Sequence, residues 1–246
     1  MGSKTKGGFT VIETMLFLAV TGLLASAVLV GSGIAIGQQR YRDSVNSFKS
    51  YIQQQYDDAA NVTSSRSKTW TCNSLAQITE SSAGSGESRG TSDCVIMGRY
   101  ITVDATGKKL TTSNVVGVRT SGAVSATNDI DEIKTYALGL SPIDQDATEV
   151  AWGAQIVQPG STTPLPASIL VIKSPLSGAL LTFSSLLAVP TPASLVDASN
   201  FSVQRDLCVN ADAGTFVGRR LEVRIAAFAS SQGAISIPPE SESICG

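Results

Sequence analysis

Glu13 is the only charged residue between Lys6 and Arg40, and it stands at the start of an apolar run from Thr14 to Gly37. A carboxylate costs roughly 2.5–3.5 kcal/mol at the centre of a membrane-crossing helix, so one placed at the edge of such a segment calls for a compensating partner. The nearest candidate is an amine that the intact chain lacks. A cut between Gly8 and Phe9 would create it, because the new α-amino group of Phe9 would lie one helical turn from Glu13, in the same chain or in a packed neighbour. The chemistry these residues point to is processing and charge pairing.

Little in the remaining sequence supports catalysis. There is no histidine in the 246 residues, which removes the usual general base and the commonest metal ligand. A Ser–His–Asp triad is therefore excluded, there is no P-loop, and no spacing brings a particular pair of carboxylates together. Asp144, Asp146 and Glu149, with Asp129, Asp131 and Glu132, have oxygen-ligand spacing of the kind calcium prefers, but neither group fits an EF-hand loop, and acidic turns between strands are common. No metal and no cofactor is expected. Arg219, Arg220 and Arg224 read as a solvated strand face in a chain of net charge −2, which removal of Lys4 and Lys6 would make more negative. Nucleic-acid binding, which needs clustered basic residues, is not expected either.

The four cysteines, Cys72, Cys94, Cys208 and Cys245, form no C-x-x-C pair, so zinc and thioredoxin-type readings have little support. An even number in a chain that leaves the cytoplasm implies disulfides. Three pairings are possible. Cys72 with Cys94 and Cys208 with Cys245 is favoured, since each closes a segment within one half of the domain, although spacing alone leaves connectivity open.

The stretch Lys4-Thr5-Lys6-Gly7-Gly8-Phe9-Thr10-Val11-Ile12-Glu13, with the apolar run behind it, resembles the type IV pilin and pseudopilin family over about thirty residues. In that family a short basic leader ends in glycine before a phenylalanine, and glutamate is fifth after the cut. The resemblance implies that residues 1–8 are a prepilin leader, that a prepilin peptidase cleaves after Gly8 and methylates the amine of Phe9, and that Glu13 registers subunits during assembly. It also implies that the chain is a non-enzymatic structural subunit, with other pilin subunits and membrane lipid as partners. It would sit in the cytoplasmic membrane with its head outside, and later in an extracellular filament. The alternatives are a pseudopilin of a type II secretion or DNA-uptake machine, or an adhesin displayed at a tip. Many family members carry a proline in mid-span where this chain has Val30-Gly31-Ser32-Gly33. That departure, with the large domain and long polar loop, favours a minor or specialised subunit.

A competing reading makes Lys4 and Lys6 the n-region of a signal peptide, Phe9 to Leu24 its h-region and Ala25-Ser26-Ala27 its cleavage site. It leaves Glu13 inside the h-region, and the apolar run continues past Ala27 to Ile36.

These residues need particular elements to position them. Thr14 to Gly37 is 24 residues, about 36 Å as a helix at ~1.5 Å per residue, enough to cross ~30 Å of hydrocarbon. Beyond it Tyr41, Val45, Phe48, Ile52 and Tyr56 recur on one helical face, opposite Arg42, Asn46, Lys49, Gln53 and Asp57. The reading is therefore α+β: a transmembrane and assembly helix over 9–37, an amphipathic continuation over 38–61, a connecting loop over 62–93 and a β-rich head over 94–246. Expected strands are Val95 to Val103, Val115 to Arg119, Ile133 to Leu138, Val150 to Val157, Ile169 to Lys173, Ala179 to Phe183, Phe201 to Val209, Leu221 to Phe228 and Ala234 to Ile237. The stripe should pack on a largely antiparallel sheet, with Asp104-Ala105-Thr106-Gly107 as a hairpin turn.

Overall fold

The computed structural model describes residues 10–62, 70–80, 91–124, 126–188, 191–211, 220–239 and 241–245. Its first element is a 50-residue helix, α1 (Val11–Ala60), roughly 75 Å long at ~1.5 Å per residue. Thr10 caps it in extended conformation, its hydroxyl accepting the Glu13 amide at 3.3 Å, and at the other end the Asn61 amide donates to the Asp57 carbonyl at 2.9 Å. The helix runs unbroken through Gly31 and Gly33. Up to Arg40 no residue of it is buried, and its apolar part is long enough to cross a membrane. From Tyr41 the predicted stripe turns inward: Tyr41, Val45, Phe48, Ile52 and Tyr56 are all buried. One helix thus has two environments, as its sequence pattern requires.

Two short strands, β1 (Trp70–Cys72) and β2 (Ile78–Glu80), pair antiparallel within the segment expected to be a loop. The Asn73 side chain organises their turn by accepting the amides of Leu75 and Gln77. A larger sheet follows, built from β3 (Val95–Val103), β4 (Lys109–Arg119), β5 (Tyr136–Leu140), β6 (Asp146–Glu149), β8 (Ala167–Lys173) and β9 (Leu180–Ser185). Its order is β5-β4-β3-β8-β9, with β6 also paired to β4. A smaller sheet has the order β12-β11-β10-β7, from β7 (Gln155–Val157), β10 (Arg205–Asn210), β11 (Leu221–Ile225) and β12 (Ile235–Ser236). Every strand pairing is antiparallel. The single expected sheet is therefore two, and the α1 stripe shares one core with both: Ile101, Ile169 and Val171 from the larger, Leu207, Val209, Val223 and Ile225 from the smaller.

The second face of the larger sheet is covered too. A bulge between Ile96 and Gly98 switches the pleat, so that Met97 joins Tyr100, Leu170, Ile172 and Phe183 beneath Ile133 and Leu195. Gly98 permits the close strand approach there, since a Cβ would collide with the Val171 carbonyl. The turn at residues 104–107 joins β3 to β4 as expected, with Gly107 at φ 70.

Several expected strands are altered: β4 starts earlier than expected, at Lys109, β11 ends at Ile225 short of Phe228, and Ala234 belongs to a 3-10 turn before β12. Residues 129–134 form a short helix, α2 (Asp129–Lys134), instead of beginning a strand at Ile133: Asn128 caps it by accepting the Asp131 amide at 2.9 Å, and three acidic residues occupy its first turn. Phe201 ends another short helix, α3 (Ala198–Phe201), started by Asp197, so β10 begins only at Arg205. Val150 to Val157 is interrupted at Ala151–Gly153 by a 3-10 turn.

Candidate functional site

The candidate site is the projecting part of α1 and its junction with the head. Gly8 and Phe9, the expected cleavage and methylation residues, lie outside the described residues. Glu13 is exposed in the first turn, three residues after the Thr10 cap. Thr10-Val11-Ile12-Glu13 has the pattern of a capping box, which the sequence reading missed although the signal was there. A carboxylate in a first turn gains typically 0.3–1 kcal/mol from the helix dipole. That is smaller than the roughly 2.5–3.5 kcal/mol of burial at a bilayer centre, so the cap by itself would not offset placing this charge in a membrane.

At the junction, Tyr41 anchors the helix to the smaller sheet: its hydroxyl donates to the Val209 carbonyl at 2.8 Å and accepts the Leu221 amide at 2.6 Å. Burial raises the Tyr41 pKa, against the Leu221 hydrogen bond and the nearby Arg220 charge. Farther along, Arg99 reaches from β3 to α1, donating to Gln55 at 3.0 Å and to Asn114 at 2.7 Å and lying 3.5 Å from Asp58. The helix is therefore tied to the head by side-chain hydrogen bonds as well as by its apolar stripe.

Beside the entry point Trp152 is 56 % exposed and takes φ 59, ψ 28, a left-handed conformation that costs of order 1–3 kcal/mol for a residue other than glycine. The Arg40 guanidinium lies 5.0 Å from the indole centroid. Arg40, Trp152, Gly37, Tyr41, Ser44 and Ala154 border a shallow cleft of about 180 Å³. In the sequence Arg40 stands only as a flank of the apolar run, and Trp152 falls within the expected strand Val150 to Val157. The Trp152-Gly153 dipeptide was the available signal for a turn.

The cysteines form two disulfides. Cys72 is joined to Cys94, which ties the β1–β2 hairpin to the start of β3, and Cys208 to Cys245, which holds the C-terminal segment on the smaller sheet. Around the second bond, Glu222 accepts the Ile244 amide at 2.9 Å and the Ser243 hydroxyl at 3.1 Å. Arg224 bridges Glu222 at 2.7 Å and Asp206 at 2.8 Å. Arg224 is thus the centre of an ion network and not part of a solvated basic face. Arg220 binds Asn210 and the Ser161 carbonyl, and Arg219 lies outside the described residues.

The acidic groups do not converge. Asp129 accepts the Ser174 hydroxyl at 2.6 Å, a bond that holds its carboxyl below the usual range. Glu132 turns inward to the Ala126 amide and to Arg119. Among the described residues no group of three or more His, Cys, Asp or Glu side chains is placed to hold a metal ion. Comparison with family profiles, with curated proteins and with solved structures returns no match to this chain.

Proposed function

We propose that this chain is a structural subunit of a type IV pilus or pilus-like filament, in a minor or specialised role. A prepilin peptidase would cleave it between Gly8 and Phe9 and methylate the Phe9 amine. The subunit would wait in the membrane with its head outside and then enter the filament by packing its projecting helix among those of other subunits. The observation that carries this reading is Glu13: one carboxylate in the first turn of a helix whose residues from Thr14 to Gln39 are neither charged nor buried by the chain's own head. A surface of that size needs lipid or neighbouring helices around it. The charge on it needs a cation, which the Phe9 amine of a neighbour would supply. An adhesin or a secretion pseudopilin would use the same helix, and no feature among the described residues of the head favours either.

The experiment is N-terminal sequencing of the mature protein together with immunogold labelling of surface filaments. The reading expects a terminus at methylated Phe9 and label on filaments. A terminus at Val28, after Ala25-Ser26-Ala27, would replace it with a cleaved signal peptide and a secreted head.

A further inference from the structure

Arg40 and Trp152 have no role in the assembly scheme, yet their placement is specific. The uncharged span Thr14–Gly37 is about 36 Å long at ~1.5 Å per residue, slightly more than the ~30 Å of hydrocarbon in a bilayer. Gly37 therefore falls at the hydrocarbon boundary, and Arg40 falls about 4.5 Å beyond it, at the depth of headgroup phosphates. The first buried residue of α1 is Tyr41, directly after Arg40, so no spacer separates the head from the membrane. Among the described residues of the head, Trp152, Ala154 and Ala211 lie beside Gly37 and Arg40, and the Trp152 indole is 56 % exposed and 5.0 Å from the guanidinium.

An indole has an apolar body and a polar N–H, and tryptophan concentrates where hydrocarbon meets water. Trp152 combines a left-handed backbone with a ring left outside the head's core. Arg40 has no carboxylate partner among the described residues, and the cation–π contact leaves its N–H groups available to a phosphate. The Tyr41 hydroxyl is already engaged by the Val209 carbonyl and the Leu221 amide, so it does not compete for that ligand.

We infer that Arg40 and Trp152 form a bilayer-contact site in which the guanidinium binds a glycerophospholipid headgroup phosphate and the indole lies in the interfacial layer of the leaflet facing the head. This seats the head against the membrane and sets the depth of α1 before the subunit leaves the bilayer. The inference rests on the membrane-anchored reading of α1, and it does not depend on what the subunit assembles into.

The test uses the full chain carrying Trp70→Phe, which leaves Trp152 as the only tryptophan. The protein is reconstituted in phosphatidylethanolamine–phosphatidylglycerol vesicles whose acyl chains are brominated next to the headgroup, and it is followed by flotation and fluorescence. The expected result is that protein floats with the vesicles and that Trp152 emission is blue-shifted and quenched by the bromine. The quenching should be lost in Arg40→Gln and kept in Arg40→Lys. Flotation without bromine quenching, or quenching that Arg40→Gln leaves unchanged, overturns the contact site and leaves the membrane anchor standing. Failure to float overturns the anchor and the site with it.

Discussion

The Thr182 hydroxyl on β9 donates a 2.8 Å hydrogen bond to the Tyr56 phenol on α1, and both residues are buried. This bond ties the last turns of the helix to the edge strand of the larger sheet. Tyr56→Phe removes the acceptor and leaves the threonine hydroxyl buried without it, which should cost about 1–3 kcal/mol. Denaturant unfolding of the detergent-solubilised chain measures the loss. The double variant Tyr56→Phe with Thr182→Val should recover part of it, since both polar groups are then gone. Full additivity of the two single changes would show that the bond contributes nothing specific.

Burial pushes the Tyr56 pKa up to about 12, against the lowering effect of the Thr182 bond, from an ordinary value of 10.0. Tyr41, Tyr51 and Tyr100 are shifted upward as well, in each case mainly by burial. A group whose pKa is raised on folding stabilises the fold fully below its unfolded pKa, and that stabilisation is lost as pH rises through the folded value. The Tyr56 contribution should therefore hold to about pH 10 and fall between about pH 10 and 12, with a slope near 1.4 kcal/mol per pH unit, and the other three phenols should add losses in the same direction. Urea midpoints across this range, read beside phenolate absorbance, check it. Tyrosine absorbance that titrates fully near pH 10 in the folded chain would refute the burial argument.

The Cys208–Cys245 bond closes a segment with a sequence separation of 37 and pins the C-terminal residues over Glu222. Replacing both cysteines with serine should cost ~2–5 kcal/mol and expose the tail to protease. Mapping of the native protein should find no free thiol. The Cys72–Cys94 bond holds only the small hairpin to β3, so its removal should leave the midpoint of global unfolding less changed.

Glu13→Ala separates the proposed assembly role from a capping role. If the carboxylate only favours the helix start, its loss costs ~0.3–1 kcal/mol and spares assembly. If it pairs with the Phe9 amine of a neighbour, the substitution strands a poorly solvated charge at a cost of ~3–5 kcal/mol. Under the proposed scheme, in which a peptidase would read the leader and Gly8, the expected outcome is a variant that is cleaved normally but is missing from sheared filaments. Normal incorporation of the processed variant would remove Glu13 from the assembly scheme.

The helix was legible from the sequence almost to the residue. Its span depends on an uninterrupted run without proline, and its change of environment at Tyr41 depends on a 3.6-residue period, both of which are local properties. Val95–Val103 was equally legible, because a β-rich run ended at a turn whose residues are adjacent in the chain. The helix start at Asn128 was written in the sequence too, but the β-propensity of Ile133 outweighed it in the reading. What only the tertiary structure decided is how the strands divide. β10 pairs with β7 and β11, not with the larger sheet, and the Met97 bulge turns one strand end to the other face. Strand pairing joins residues far apart in sequence, and β-propensity reports only fitness for a pleated, half-buried surface. The same holds at the junction: Arg40 and Trp152 are more than a hundred positions apart, and only the packing of α1 against the head brings the guanidinium over the indole.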